Sequence, residues 1–168
     1  RLANFLLEKG SWFSLDANEP FVPGVGAKPP QANFYPADAT REEVDTWINA
    51  LPKAEKEAAT GFFTTIRRGP SGQFVAVPYN VEYQAELTLA ASHLRAAAAA
   101  TTQPTLKAFL DARAAAFLSN DYYESDVLWM ELDSALEPTI GPYEVYEDEW
   151  FNYKAAFEAF VTVRDDAE

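Results

Sequence analysis

The sequence predicts an α+β fold that is predominantly α-helical and has a small antiparallel β-core. Apolar residues recur at helical spacing over much of residues 40–134, and two short apolar runs flank the turn-forming segment 67–72. Residues 153–163 alternate instead with the period of a strand. With 168 residues, of which 48% are apolar, the chain is long enough to bury a core as one or two compact units.

The first two helices are predicted from local signals. Thr40 and Glu43 have the spacing of a capping box, in which each side chain satisfies a free backbone N–H at the start of a helix. Pro52 begins a second helix, which Gly61 ends. The apolar stripe of the first helix consists of Val44, Trp47, Ile48 and Leu51.

The rest of the fold is expected to consist of a hairpin, three further helices and a strand. The hairpin pairs residues 62–66 with residues 74–77. Asn80 is expected to cap a long helix to about residue 100, and another helix covers residues 121–134 before Pro138 and Gly141 interrupt it. The strand at residues 153–163 is expected to lie within a sheet, for which residues beyond Glu168 are one source of further strands. Apolar positions mark the helix between these two at Leu106, Phe109, Leu110, Phe117 and Leu118, and the last one at Tyr123, Val127 and Met130.

Two regions are expected along the chain. Residues 1–39 form a partial helix, ended by Gly10, and an arm rich in Pro, Gly and aromatic residues; residues 40–168 form a helical unit with the hairpin and the C-terminal strand. Because aromatic groups on a loop are costly to leave in water, we expect the arm to lie across another surface of the same protein. Its aromatic residues are Trp12, Phe13, Phe21, Phe34 and Tyr35.

Composition excludes several classes of function. Lys and Arg total 13 against 26 Asp and Glu, and the net charge of −13 would repel phosphate backbones and anionic lipid heads, so neither nucleic acid nor a membrane is an expected partner. No apolar run is long enough to span a bilayer. The chain has no cysteine, which excludes thiolate nucleophiles and sulfur-ligated zinc and leaves cytoplasm and periplasm equally open.

Few residues offer recognisable chemistry. His93 is the single histidine, whereas a catalytic zinc needs about three protein ligands, so no metal site is expected in this chain. The many carboxylates of residues 121–150 leave open a glycosidase-like acid and base pair. Glu144 and Tyr146 are two residues apart, so in an extended backbone both side chains emerge on one face. A carboxylate beside a phenol can hold an ammonium group and donate a hydrogen bond to an oxyanion, although a structural pair would have the same spacing.

Several segments resemble the bacterial and plant branch of the dipeptidyl peptidase III family of zinc metallopeptidases. The most specific is Thr139-Ile-Gly-Pro-Tyr-Glu-Val-Tyr-Glu-Asp148, and the resemblance covers nearly the whole chain. Some plant members carry a Nudix domain ahead of this region, but nothing here resembles a Nudix box. The other segments that carry the resemblance are residues 18–26, 32–38, 59–63, 117–126 and 153–160.

The resemblance implies an internal fragment of the lower lobe of a two-lobed exopeptidase, without the zinc motif. In that family zinc is held by the other lobe, so the full-length protein would need zinc while the fragment binds none and is inactive alone. The position matching Glu144 binds the amino terminus of a peptide substrate, and the one matching Tyr146 hydrogen-bonds the scissile carbonyl. Glu147 departs from the animal enzymes, which have a basic residue there, and this puts peptide preference and strict dipeptide release in question.

A different class of function fits the same composition. The chain would then be a non-catalytic acidic helical module that binds a protein partner through its aromatic arm. Under the peptidase hypothesis, the arm and the strand at residues 153–163 would instead pack against the zinc-bearing lobe and further strands. The isolated fragment is therefore expected to expose apolar surface and to self-associate.

Overall fold

The computed structural model describes residues 12–13 and 17–165, and the helix expected within residues 1–9 lies outside them. The described part has six helices and three antiparallel two-stranded sheets, which confirms the α+β class. None of these helices combines the length and the apolar character that crossing a bilayer requires. The helices are α1 (Arg41–Ala50), α2 (Lys53–Thr60), α3 (Tyr79–Glu82), α4 (Gln84–Ala100), α5 (Pro104–Ser119) and α6 (Tyr123–Met130); the strands are β1 (Trp12–Phe13), β2 (Glu19–Pro20), β3 (Thr64–Arg68), β4 (Phe74–Pro78), β5 (Leu136–Glu144) and β6 (Ala156–Val163).

The two long helices, α4 and α5, form the centre of the core. Each buries a stripe at helical spacing, and small alanine side chains such as Ala91 and Ala114 let the two backbones approach closely. The capping box of α1 is present as predicted, with Thr40 and Glu43 hydrogen-bonded reciprocally. The buried residues of the stripes are Leu87, Ala91, Leu94 and Ala98 on α4, and Leu106, Phe109, Leu110, Ala114 and Phe117 on α5.

The predicted hairpin is confirmed as β3 and β4, and the arm packs beside it. Ile66 pairs with Ala76 across the hairpin and is fully buried. The arm contacts this sheet directly, because Ile66 N–H donates to the carbonyl of Phe34 at 2.7 Å. Arg67 reinforces the contact by donating to the carbonyl of Asn33 at 2.8 Å. The arm therefore lies on the same protein, as its aromatic content predicted.

The C-terminal strand lies within a sheet, as predicted, and its partner in this chain is β5. Strand β6 is antiparallel to β5, with Leu136 opposite Val163 and Glu144 opposite Ala156. The register shifts between Pro142 and Glu144, so a bulge precedes the end of β5. Pro138 and Gly141 lie inside β5 and were wrongly expected to end a helix. A proline is tolerated there because a two-stranded sheet consists of edge strands.

Two helix boundaries also differ from the prediction. Pro78, not Asn80, precedes the first turn after the hairpin, and Asn80 instead donates to the carbonyl of Leu118 at 2.9 Å. The last helix is α6, shorter than the expected 121–134, and its side chains Tyr123 and Met130 are 78% and 80% exposed. Helix α6 packs through the opposite face, where Ser125 is buried, so its predicted apolar stripe points to solvent.

Candidate functional site

Glu144 and Tyr146 lie where β5 ends. Glu144 is the last residue of the strand, and Tyr146 follows in a turn closed by the Asp148 N–H donating to the carbonyl of Val145 at 3.1 Å. The chain turns immediately after β5, so the backbone is not extended through Tyr146, which was the condition for both side chains to emerge on one face. Both side chains are exposed, Tyr146 by 73%, and neither hydrogen-bonds to another described residue. The carboxylate of Glu144 and the phenol of Tyr146 are therefore both accessible to a ligand and lie two residues apart in the chain.

The segment after Tyr146 is organised around the buried carboxylate of Asp148. Its Oδ1 accepts from the N–H groups of Trp150 and Phe151, both at 3.2 Å. Its Oδ2 accepts from the N–H groups of Tyr153 at 2.8 Å and Lys154 at 3.1 Å. Asp148 is 0% exposed, and these bonds replace the water that a carboxylate loses on burial. We refer to residues 145–155 as the Asp148 loop.

The arm supplies a fifth hydrogen bond to this carboxylate. Tyr35 is 3% exposed and its hydroxyl donates to Asp148 Oδ2 at 2.8 Å. Its ring stacks on Trp150 with centroids 5.1 Å apart and meets the edge of Phe151 at 5.6 Å. Burial, and then the neighbouring Asp148 carboxylate, raise the pKa of Tyr35, so its hydroxyl stays a donor. The arm and the Asp148 loop are therefore joined by polar and aromatic contacts.

Lys154 holds the far end of the Asp148 loop. It is 0% exposed, and its Nζ donates to the carbonyls of Ala59 at 2.6 Å and Gly61 at 3.0 Å and to Thr64 Oγ1 at 2.8 Å. Burial lowers the pKa of Lys154 to about 7, while the Asp148 carboxylate acts in the opposite direction. These contacts join the loop to the corner between α2 and β3.

The acidic residues beside Tyr146 are partly neutralised by the arm. Lys28 forms an ion pair with Glu147, and its Nζ lies 3.5 Å from Glu149 Oε1. Asn18 Nδ2 donates to the same Glu149 oxygen at 3.0 Å. Lys28 of the arm therefore offsets the negative charge of Glu147.

A buried arginine supports β5 from the opposite side. Arg113 is 0% exposed, and its Nη2 donates to Asp126 Oδ1 at 2.5 Å and to the hydroxyl of Tyr143 at 3.0 Å. Its Nε and Nη1 have no acceptor among the described residues, and the guanidinium lies 5.2 Å from the centroid of the Tyr143 ring. Arg113 thus packs directly beneath the strand that ends at Glu144.

The donor set of this chain does not fit zinc. His93 is exposed on α4, and within residues 12–13 and 17–165 no group of three or more His, Cys, Asp or Glu side chains is placed to hold a metal ion. Soft or imidazole ligands are the ones that zinc prefers, and this chain offers a single imidazole. No catalytic step through zinc is therefore assigned to these residues.

Sequence reasoning missed three residues that build the site. Asp148 and Lys154 belong to one loop, whereas Tyr35 comes from a part of the chain 113 positions away from Asp148. The only available signal was the dense aromatic and charged composition of residues 143–154 beside the Glu144 and Tyr146 pair. Nothing in that composition distinguishes the buried Asp148 from the exposed acidic residues around it.

Known proteins match the fold of this chain and nearly all of its sequence. No protein-family model matches the chain. It is 39% identical, over an alignment of 209 residues, to the protein named Nudix hydrolase 3 of Arabidopsis thaliana, covering 96% of this chain and 27% of that protein.

Two solved structures match it more closely. A dipeptidyl-peptidase III from Corallococcus sp. strain EGB has 66% identity and a TM-score of 0.87, and DPP III from Caldithrix abyssi has 51% identity and a TM-score of 0.84. Each match covers 99% of this chain but 31% and 32% of those chains, so the chain spans about a third of the length of its structural relatives. On this agreement in sequence and fold, the chain belongs to the dipeptidyl peptidase III family and corresponds to one segment of its structure.

Proposed function

We propose that this chain is the substrate-holding part of a zinc-dependent exopeptidase that hydrolyses peptides from their amino terminus. The observation that carries the proposal is the 66% identity to a dipeptidyl-peptidase III over 99% of the chain. Since the donors present here do not suit zinc, the ion belongs to residues outside this chain, on the remaining lobe of the longer protein. The chain alone is accordingly inactive, and its partners are the peptide substrate and that lobe.

Glu144 is proposed to bind the ammonium group of the substrate. Its carboxylate is exposed at the end of β5 and has no hydrogen-bond partner among the described residues, so none of these residues competes with a cationic ligand. The net charge of −13 adds a long-range attraction for a cation. The ammonium carries its charge before and during the reaction, so Glu144 contributes mainly to substrate binding.

Tyr146 is proposed to donate a hydrogen bond to the scissile carbonyl oxygen. The phenol is 73% exposed and has no hydrogen-bond partner in the part of the chain that the structure describes, so it is open to a substrate that Glu144 holds by its amino terminus. Negative charge develops on that oxygen as water attacks the carbonyl carbon, and a hydrogen bond to a charged acceptor is stronger than one to a neutral acceptor. Tyr146 therefore stabilises the transition state more than the bound substrate.

Conservative substitutions in the natural, full-length protein test these roles. Tyr146→Phe should lower kcat by about 10²-fold to 10³-fold with little change in KM, because it removes one donor to the developing oxyanion. Glu144→Gln should mainly raise KM, weakening binding by on the order of 2 kcal/mol or more in a well-desolvated complex. The measurement is steady-state kinetics on a dipeptide-releasing substrate, with thermal unfolding of each variant.

The chain offers a matched control for each substitution. Tyr123→Phe removes a hydroxyl that is equally exposed on α6, and Glu137→Gln neutralises an exposed carboxylate on the same strand as Glu144. Neither control should change kcat or KM. Unchanged turnover in Tyr146→Phe would end its catalytic assignment, and a loss of turnover matched by a large fall in Tm would favour a structural role.

A further inference from the structure

We propose that Asp148 is a positioning residue that holds Tyr146 in its reactive place, with Lys154 as the second anchor of the same loop. This inference rests on the function proposed for Tyr146. Asp148 is buried, and its side chain forms no hydrogen bond with the phenol of Tyr146. It acts through the backbone of the turn that carries Tyr146.

The hydrogen bonds of Asp148 fix that turn from within. One buried carboxylate accepts from four backbone N–H groups that follow it in the chain and from the Tyr35 hydroxyl. With the Asp148 side chain held in this way, its own N–H donates to the carbonyl of Val145 and closes the turn around Tyr146. The backbone position of Tyr146 is therefore set by the residue two places after it.

The loop is also tied to the core of the chain. Lys154 Nζ meets three acceptors at the corner between α2 and β3, and the adjacent Ala155 N–H donates to the carbonyl of Phe62 at 2.9 Å. The Ala155 carbonyl accepts from the buried hydroxyl of Tyr79 at 2.8 Å. A loop anchored on both sides gives an exposed side chain a rigid base, and this pre-organisation is what a transition-state donor requires.

The burial of two charged groups in this loop favours a role in positioning over one in stability alone. Asp148 and Lys154 are each 0% exposed, and removing two charges from water is costly even when both are hydrogen-bonded. Well-packed apolar residues of similar volume often stabilise a core as much or more. An apolar side chain cannot accept hydrogen bonds, whereas the Asp148 carboxylate accepts from four N–H groups of the same loop and so fixes its backbone.

A double-mutant cycle in the full-length protein tests the proposal. Asp148→Asn keeps the shape of the side chain but converts part of its acceptor capacity into donors, so it should lower kcat by about 10-fold to 100-fold with a small change in KM. In the Tyr146→Phe background the same substitution should cause no further loss, because the positioned hydroxyl is already absent. Equal losses in both backgrounds would overturn the proposal.

Two further variants keep the test decisive. Tyr35→Phe removes one hydrogen bond to Asp148 while keeping the stacked ring, so it should lower kcat by roughly 3-fold to 10-fold. This variant tests the proposal even where Asp148→Asn does not fold. Phe109→Leu in the core of α5 should lower Tm without changing kcat at a temperature where it stays folded. Full kcat in Tyr35→Phe would contradict the positioning role. Full activity in Tyr146→Phe is a distinct result, which removes the proposed function and this inference together.

Discussion

Lys154 shows how a single buried residue can make stability depend on pH. Its Nζ has three hydrogen-bond acceptors, the number that an ammonium group needs, yet it is 0% exposed. The acceptors and the nearby Asp148 favour the charged form, whereas desolvation favours the neutral amine and is the larger effect. The result is a pKa lowered to about 7 from an ordinary value of 10.5.

The free energy of unfolding should therefore rise with pH relative to a variant without this amine. Below about pH 7 Lys154 is protonated in both the folded and the unfolded chain, and the cost of burying its charge is fully present. Between pH 7 and 10.5 the folded chain has lost a proton that the unfolded chain keeps, so stability increases with pH.

Denaturant unfolding measures this effect as the difference in free energy of unfolding between the wild type and Lys154→Met, at several pH values between 7 and 10.5. Other titrating groups cancel in the comparison, because both proteins carry them. A difference that stays flat or falls as the pH rises would contradict the lowered pKa. Lys107→Met, which removes an exposed lysine of α5, is a matched control and should leave the pH dependence unchanged.

At the scale of elements, the contact between β5 and α5 depends on a glycine. Gly141 has φ = +149°, and a Cβ atom there would lie 2.7 Å from Arg113 Nη1. Arg113 is fully buried and hydrogen-bonded to Asp126 and Tyr143, so its guanidinium has little room to move away. The close approach of strand to helix and the backbone conformation both require glycine at this position.

Gly141→Ala should consequently destabilise the protein by about 1–3 kcal/mol, from backbone strain and displacement of Arg113. Because β5 ends at Glu144, the same change should also weaken substrate binding if the proposed role of Glu144 is correct. Thermal and denaturant unfolding measure the first effect. Gly26→Ala is the control, since a Cβ there meets nothing within 4 Å, and its stability should stay unchanged or rise slightly. Equal stability of the two variants would contradict the role given to Gly141.

At the scale of the whole molecule, the C-terminal sheet carries one of the exposed apolar surfaces. Val161 and Val163 are two residues apart on β6, so their side chains lie on the same face, and they are 63% and 70% exposed. Val161, Leu136 and Leu94 line an apolar groove of about 500 Å³ between this sheet and the end of α4. Such a face on a chain that spans about a third of its structural relatives is suited to contact with further protein.

The 168-residue chain is therefore expected to self-associate through this sheet. Replacing Val161 and Val163 together by lysine should shift the chain toward monomer, because charge on an exposed strand opposes pairing and removes the apolar contact. Sedimentation velocity over a range of concentrations measures the change. Val81→Lys alters a valine that is equally exposed on α3, and it should leave self-association intact. A wild-type chain that stays monomeric at high concentration would contradict this prediction.

Local patterns in the sequence determined much of the fold. The α1 capping box, the β3 and β4 hairpin and most of the buried stripe of α5 follow from patterns within short stretches of the chain, and these were predicted. The family resemblance likewise came from short contiguous motifs and agrees with the structural comparisons. The roles of Glu144 and Tyr146 remain predictions that rest on this resemblance.

Only the tertiary structure decided which strand pairs with β6, which face of α6 is buried and which charged groups lie inside. Sequence periodicity wrongly placed Pro138 and Gly141 at a helix end, because their roles depend on β6 and on Arg113 rather than on near neighbours. Asp148 is one of 26 acidic residues, and its burial is set by Tyr35, which lies 113 positions away. Whether a charged side chain is buried depends on which distant segments pack around it, and a local sequence pattern does not contain that information.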